Sequence, residues 1–150
     1  MSGRGQRAAR AAFPDGPASL DGGSVPHITV EFSANLEAHV EMMGLMAVIH
    51  EVALSTGVFP LGGIRVRAAK RDLYIVADGN PENCFIHVTL LIGTGRTPET
   101  KKAACDAIFE AICEHLAEPF ERVPLAISLT LNELNPELTY RHNNLHKRLG

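Results

Sequence analysis

The sequence predicts an α/β (α+β) protein in which a β-α-β unit occurs twice, the strands forming one four-stranded, mainly parallel-paired sheet with two helices on one face. Two observations predict it. The apolar periodicity switches from two to 3.6 and back, twice, between residues 27 and 131. Each unit takes about 60 residues, so each crossover is long enough to join parallel strands.

His27–Ser33 alternates, with Ile28, Val30 and Phe32 on one face and Thr29 and Glu31 on the other, as a half-buried strand does. Asn35 offers a helix cap, and Leu36, Val40, Met43, Met46, Ile49, Val52 and Ala53 follow at helical spacing. Gly57, Pro60, Gly62 and Gly63 end that helix. Ile64–Ala69 is a second strand, central in aspect, and Leu73–Ala77 a further short one before a turn at Asp78-Gly79-Asn80-Pro81. The order then repeats. Ile86, Val88, Leu90 and Ile92 form one face of a strand that ends at Gly93-Thr94-Gly95. Thr97 caps a helix with Pro98 at its first position and Glu99 in its first turn. Ala104, Ile108, Ile112 and Leu116 line one side of it, and Leu125, Ile127, Leu129 and Leu131 alternate through a last strand. Such a sheet leaves one face and both edges open, which in a short chain predicts oligomerisation. Arg141–Leu149 reads as a short terminal helix or arm.

The 150 residues are 45% hydrophobic and 21% charged, the balance of an ordinary globular domain. No apolar run nears the roughly 18 residues of a membrane helix. With 14 basic against 17 acidic residues, 5% aromatics and no Trp, neither a basic field nor a stacking platform for nucleic acid is visible. Three cysteines, at 84, 105 and 113, lack C-x-x-C spacing and read as reduced cytosolic thiols, which predicts a cytoplasmic protein.

Residues 1–25 differ from the rest. Gly, Ala, Arg and Pro supply 15 of the first 24 positions without apolar periodicity, so a disordered extension is expected, with the folded domain over 26–150. It has no apolar stretch for a secretory signal, although Arg4, Arg7 and Arg10 faintly suggest a transit peptide. Without the tail's three arginines and two aspartates, 11 basic residues face 15 acidic ones.

Several side chains are candidates for chemistry. His142 and His146 stand at i, i+4, a spacing that can serve one metal, but no Glu follows the first, and a polar terminal helix readily carries such a pair. Gly93-Thr94-Gly95-Arg96 before a helix resembles a phosphate turn yet lacks the G-x-G-x-x-G fingerprint. Cys105 and Cys113 read as core packing, as do Met42, Met43 and Met46, and His87 as a satisfied structural histidine. Arg65 and Arg67 alternate off one face of their strand, where charges are commonly only solvated. Arg96 precedes a helix N-terminus that already favours an anion, and adds bidentate capability for a carboxylate.

Pro26-His27-Ile28-Thr29-Val30-Glu31, Thr56-Gly57-Val58-Phe59-Pro60-Leu61-Gly62-Gly63-Ile64-Arg65 and Ile92-Gly93-Thr94-Gly95-Arg96 closely resemble the 5-carboxymethyl-2-hydroxymuconate Δ-isomerase family. Ala77-Asp78-Gly79, Phe85-Ile86-His87-Val88-Thr89-Leu90 and Asn143-Asn144-Leu145-His146 share in it, and the match spans essentially 26–150. The second unit, Ile86–Leu134, also looks like a 4-oxalocrotonate tautomerase subunit. The resemblance implies a tautomerase-like fold, a homotrimer and no cofactor. It implies ketonisation of a small carboxylate substrate in the meta-cleavage breakdown of homoprotocatechuate. An amino-terminal proline, matched by Pro26, would be the general base, and Arg65 and Arg96 would hold substrate carboxylates.

Val25 precedes Pro26, so the proline nitrogen is a tertiary amide with no basicity. Three readings stay open: translation starting at residue 25 from a GTG codon, proteolysis after Val25, or a genuine extension on a protein with lost or changed activity. The first is preferred. The alternatives in function are a non-catalytic trimeric binding protein, or another tautomerase-superfamily activity on a small unsaturated acid.

Overall fold

The computed structural model describes residues 26–149. The expected extension over 1–25 therefore lies outside the described residues. The first half comprises β1 (His27–Ser33), a 3-10 turn (Ala34–Ala38), α1 (Met42–Ser55), a second 3-10 turn (Leu61–Gly63) and β2 (Arg65–Arg71). The second comprises β3 (Cys84–Ile92), α2 (Pro98–His115), the short α3 (Ala117–Arg122), β4 (Leu125–Glu133), a 3-10 turn (Pro136–Leu138) and α4 (Leu145–Leu149).

The strands form one sheet in the order β2-β1-β3-β4. β1 pairs with β2 and β3 with β4 in parallel, while β1 and β3 meet antiparallel at the centre. The two β-α-β units are thus joined back to back. One strand face is apolar: Ile28, Val30 and Phe32 of β1, and Cys84, Ile86, Val88, Leu90 and Ile92 of β3 are buried. Leu45, Ile49 and Ala53 of α1 and Ala104, Ile108 and Ile112 of α2 cover it, and α2 is capped by the Thr97 hydroxyl as expected. Each fully buried Ile or Leu there contributes about 1.5–3 kcal/mol.

Local expectations failed in instructive places. Asn35 does not cap α1. Its Nδ2 donates instead to Pro81 O (3.1 Å) and Asn83 O (2.8 Å), tying the start of the first crossover to the loop before β3. The chain makes only a 3-10 turn there, and α1 restarts at Met42, where the Glu41 carboxylate accepts from Gly44 N at 2.8 Å. That restart rotates the apolar stripe, so Leu45 is buried while Met43, expected in the core, is 66% exposed. Cys105 and Cys113 are only half-buried, whereas Cys84 is fully buried. Leu73–Ala77 forms no strand, with Leu73 94% and Ile75 87% exposed. β2 is an edge strand, not a central one. His142 precedes α4, so it and His146 do not share a helix.

Candidate active site

Strand directions gather particular segments at one end of the sheet. β1 and β2 start there, and β3 and β4, antiparallel to them, finish there. Pro26, the turn entering β2, Gly93–Arg96 and the segment after β4 therefore share one rim.

Pro26 is buried, and its carbonyl accepts a hydrogen bond from Arg65 N at 3.1 Å. Arg65 pairs in register with His27, and its Nη1 donates to Gly63 O at 2.8 Å, which steadies the guanidinium beside the turn. Arg96 reaches the other end of the same connection. Its Nη1 donates to Gly93 O (3.3 Å), its Nη2 to Val58 O (3.2 Å), and its guanidinium lies 5.2 Å from the centre of the Phe59 ring. Gly95, with φ at +111°, allows the sharp exit from β3 that presents Arg96. Residues 58–64 thus connect the two arginines, with Phe59 beneath one and Gly63 beside the other. Gly62 in this connection lies against the His146 ring of α4: a Cβ there would stand 2.5 Å from Nδ1.

The structure therefore brings Pro26 and Arg65 together directly, and ties Arg96 to them through one connection. It also places Arg67, expected to be a solvated charge, with residues not singled out from the sequence. His27, Arg67, Leu91, Tyr140 and Arg141 line a cleft of about 200 Å³ on the sheet face away from the helices. Arg67 Nη1 donates to His27 Nδ1 at 3.2 Å, so that nitrogen carries no proton. Partial burial, with Arg67 and then Arg65 nearby, holds the His27 imidazole below its usual pKa. The signal available was period-two register: Arg65 and Arg67 share a strand face with His27 once β1 and β2 are paired. His87 lies farther along that face, its Nδ1 sharing a 2.6 Å hydrogen bond with Ser128 Oγ.

The fold defines a class, α+β proteins in which two β-α-β units share one four-stranded sheet. A crystallised member of the cis-3-chloroacrylic acid dehalogenase family superposes with TM-score 0.57 at 19% identity, covering 79% of this chain and 81% of the other, which shows the shared fold. The sequence profile of the 5-carboxymethyl-2-hydroxymuconate isomerase family matches residues 26–149. The Escherichia coli 5-carboxymethyl-2-hydroxymuconate Delta-isomerase is 38% identical over 122 residues, 81% of this chain and 97% of that protein. A crystal structure of a 5-carboxymethyl-2-hydroxymuconate isomerase from Deinococcus radiodurans R1 superposes with TM-score 0.79 at 36% identity, covering 85% of this chain and 96% of the other. The chain belongs to the 5-carboxymethyl-2-hydroxymuconate isomerase family and is an intramolecular isomerase. Among the described residues, no helix is long and apolar enough to cross a membrane.

Proposed function

We propose that this chain ketonises 5-carboxymethyl-2-hydroxymuconate in homoprotocatechuate breakdown, as a cytoplasmic homotrimer without a cofactor, using Pro26 as general base in a form that begins at that residue. The observation that supports the reading is the 3.1 Å backbone hydrogen bond from Arg65 N to the Pro26 carbonyl, which makes the two residues neighbours on the rim that Arg96 also borders. As an amino-terminal secondary amine, Pro26 takes the proton from the 2-hydroxyl of the dienol. The electron pair moves through the conjugated system, and the ammonium returns one proton to carbon. Proton in and proton out balance, so neither oxidant nor metal enters the scheme.

A free α-amine titrates near ~8, and a base working at neutral pH does best near ~7. Burial and the Arg65 cation both disfavour the protonated amine and move it in that direction. Arg65 and Arg96 receive carboxylates and balance the negative charge that develops on the dienolate oxygen.

Spectrophotometric assay of chain beginning at Pro26 tests this reading. Turnover is expected, with Arg65→Ala and Arg96→Ala each losing about ten- to a hundredfold in kcat/KM, the worth of a charge-assisted contact of about 1.5–3 kcal/mol. Undiminished kcat/KM in both variants, or no turnover by the parent chain, would overturn it.

A further inference from the structure

The substrate proposed above carries three carboxylates, and Arg65 and Arg96 account for two. The cleft beside Arg65 has the chemistry for the third. It is lined by His27, Arg67 and Leu91 from the sheet and by Tyr140 and Arg141 from the segment after β4. None of its lining residues is acidic. Elsewhere on the subunit cations meet carboxylates: Lys70 meets Glu37, Arg71 meets Glu31, Lys101 meets Glu133, Lys102 meets Asp106 and Arg122 meets Glu118. Arg67 and Arg141 form no such pair among the described residues, and Arg67 is instead held on a neutral His27 nitrogen. Two arginines, a tyrosine and a histidine thus line one concavity. That arrangement offers N–H and O–H donors to a carboxylate and no competing anion.

We propose that the His27–Arg67–Arg141 cleft is a carboxylate subsite of the same centre, which receives the carboxymethyl group of the substrate and so sets specificity for a tricarboxylate over a dicarboxylate. The inference rests on the functional reading above. Chemistry selects which carboxylate enters. The two muconate carboxylates are conjugated with the dienol and lie near its plane. The third sits on a methylene and is free to turn out of that plane, toward the open sheet face. The groups that face His27 there are Arg65 and Arg67 from β2 and Tyr140 and Arg141 from the closing segment.

Two readouts test it on chain beginning at Pro26. The first is the ratio of kcat/KM for 5-carboxymethyl-2-hydroxymuconate to that for 2-hydroxymuconate, which lacks the arm. Arg67→Gln and Arg141→Gln are each expected to reduce that ratio about tenfold, as losing one charge-assisted contact does. Equal losses on both substrates contradict the assignment. The second readout needs no turnover: the His27 imidazole is titrated by NMR with and without propane-1,2,3-tricarboxylate. A bound carboxylate favours the imidazolium, so the His27 pKa should rise on adding the probe, and rise less in Arg67→Gln. A titration the probe does not move overturns the subsite. Failure of the parent chain to ketonise either substrate overturns the functional reading instead, and the NMR titration still decides the cleft.

Discussion

Arg96 donates to two carbonyls, Gly93 O and Val58 O, and lies over Phe59, so its position is set by residues from both halves of the chain. A lysine there keeps the charge but loses the planar fork and the stacking. Arg96→Lys is therefore expected to recover little of what Arg96→Ala loses in kcat/KM, whereas simple charge balance would restore most of it. His27 makes a separate prediction about pH. Its folded pKa lies below the ordinary 6.5, so the unfolded chain holds the proton more readily. Its contribution to stability is complete above that value and falls as pH drops from 6.5 toward the lowered folded value. Urea midpoints at pH 7.5 and 5 should show a larger acid loss in the parent chain than in His27→Gln; equal losses would place the acid sensitivity elsewhere. At this scale Pro26, Arg65 and Arg96 could be proposed from the sequence because they lie in contiguous motifs. Arg67 and His27 could not, since alternation reads the same for a solvated arginine as for one lining a cleft, and Arg141 lies far along the chain.

The two long helices illustrate how element patterns succeed or mislead. Ala104, Ile108, Ile112 and Leu116 recur without interruption, and all four are buried. Ile108→Ala should cost about 2–5 kcal/mol, measured by denaturant unfolding, because the site is fully enclosed. The first helix was harder to read, because a period of 3.6 extended through Ala38–Glu41 assumes a continuous helix. Glu41 recaps the chain there, a local carboxylate-to-backbone choice that apolar spacing does not record. Leu73–Ala77 misled for a related reason: β-forming residues need a partner strand, and β2 ends at Arg71 with none beyond it. The α4 contact yields a coupled prediction. Gly62→Ala would drive the His146 ring from its seat, and the double variant with His146→Ala should be less destabilised than the sum of the singles, by about 1 kcal/mol. Strict additivity would mean that the contact does not fasten the 58–64 connection.

The whole molecule is two β-α-β units joined through the antiparallel β1–β3 seam, and its candidate site draws on both. Pro26 and Arg65 come from the first unit and Arg96 from the second, a division that a duplicated ancestral site would leave. The duplication was legible because each half repeats the same order of periods. The antiparallel seam was not, because strand order depends on which strand edges meet and not on the pattern within any strand. With one sheet face uncovered and β2 and β4 at the edges, the trimer proposed above predicts a solution mass of three subunits by light scattering; a monomer would contradict it. The central claim remains the amine of Pro26, and one comparison tests it most directly. The chain beginning at Pro26 and the 150-residue chain are assayed side by side on 5-carboxymethyl-2-hydroxymuconate, with intact mass recorded for each after the assay. The account predicts turnover by the Pro26 form and none by a chain whose mass still includes residues 1–25. Equal turnover by that intact longer chain would contradict it, because an amide nitrogen cannot carry the proton.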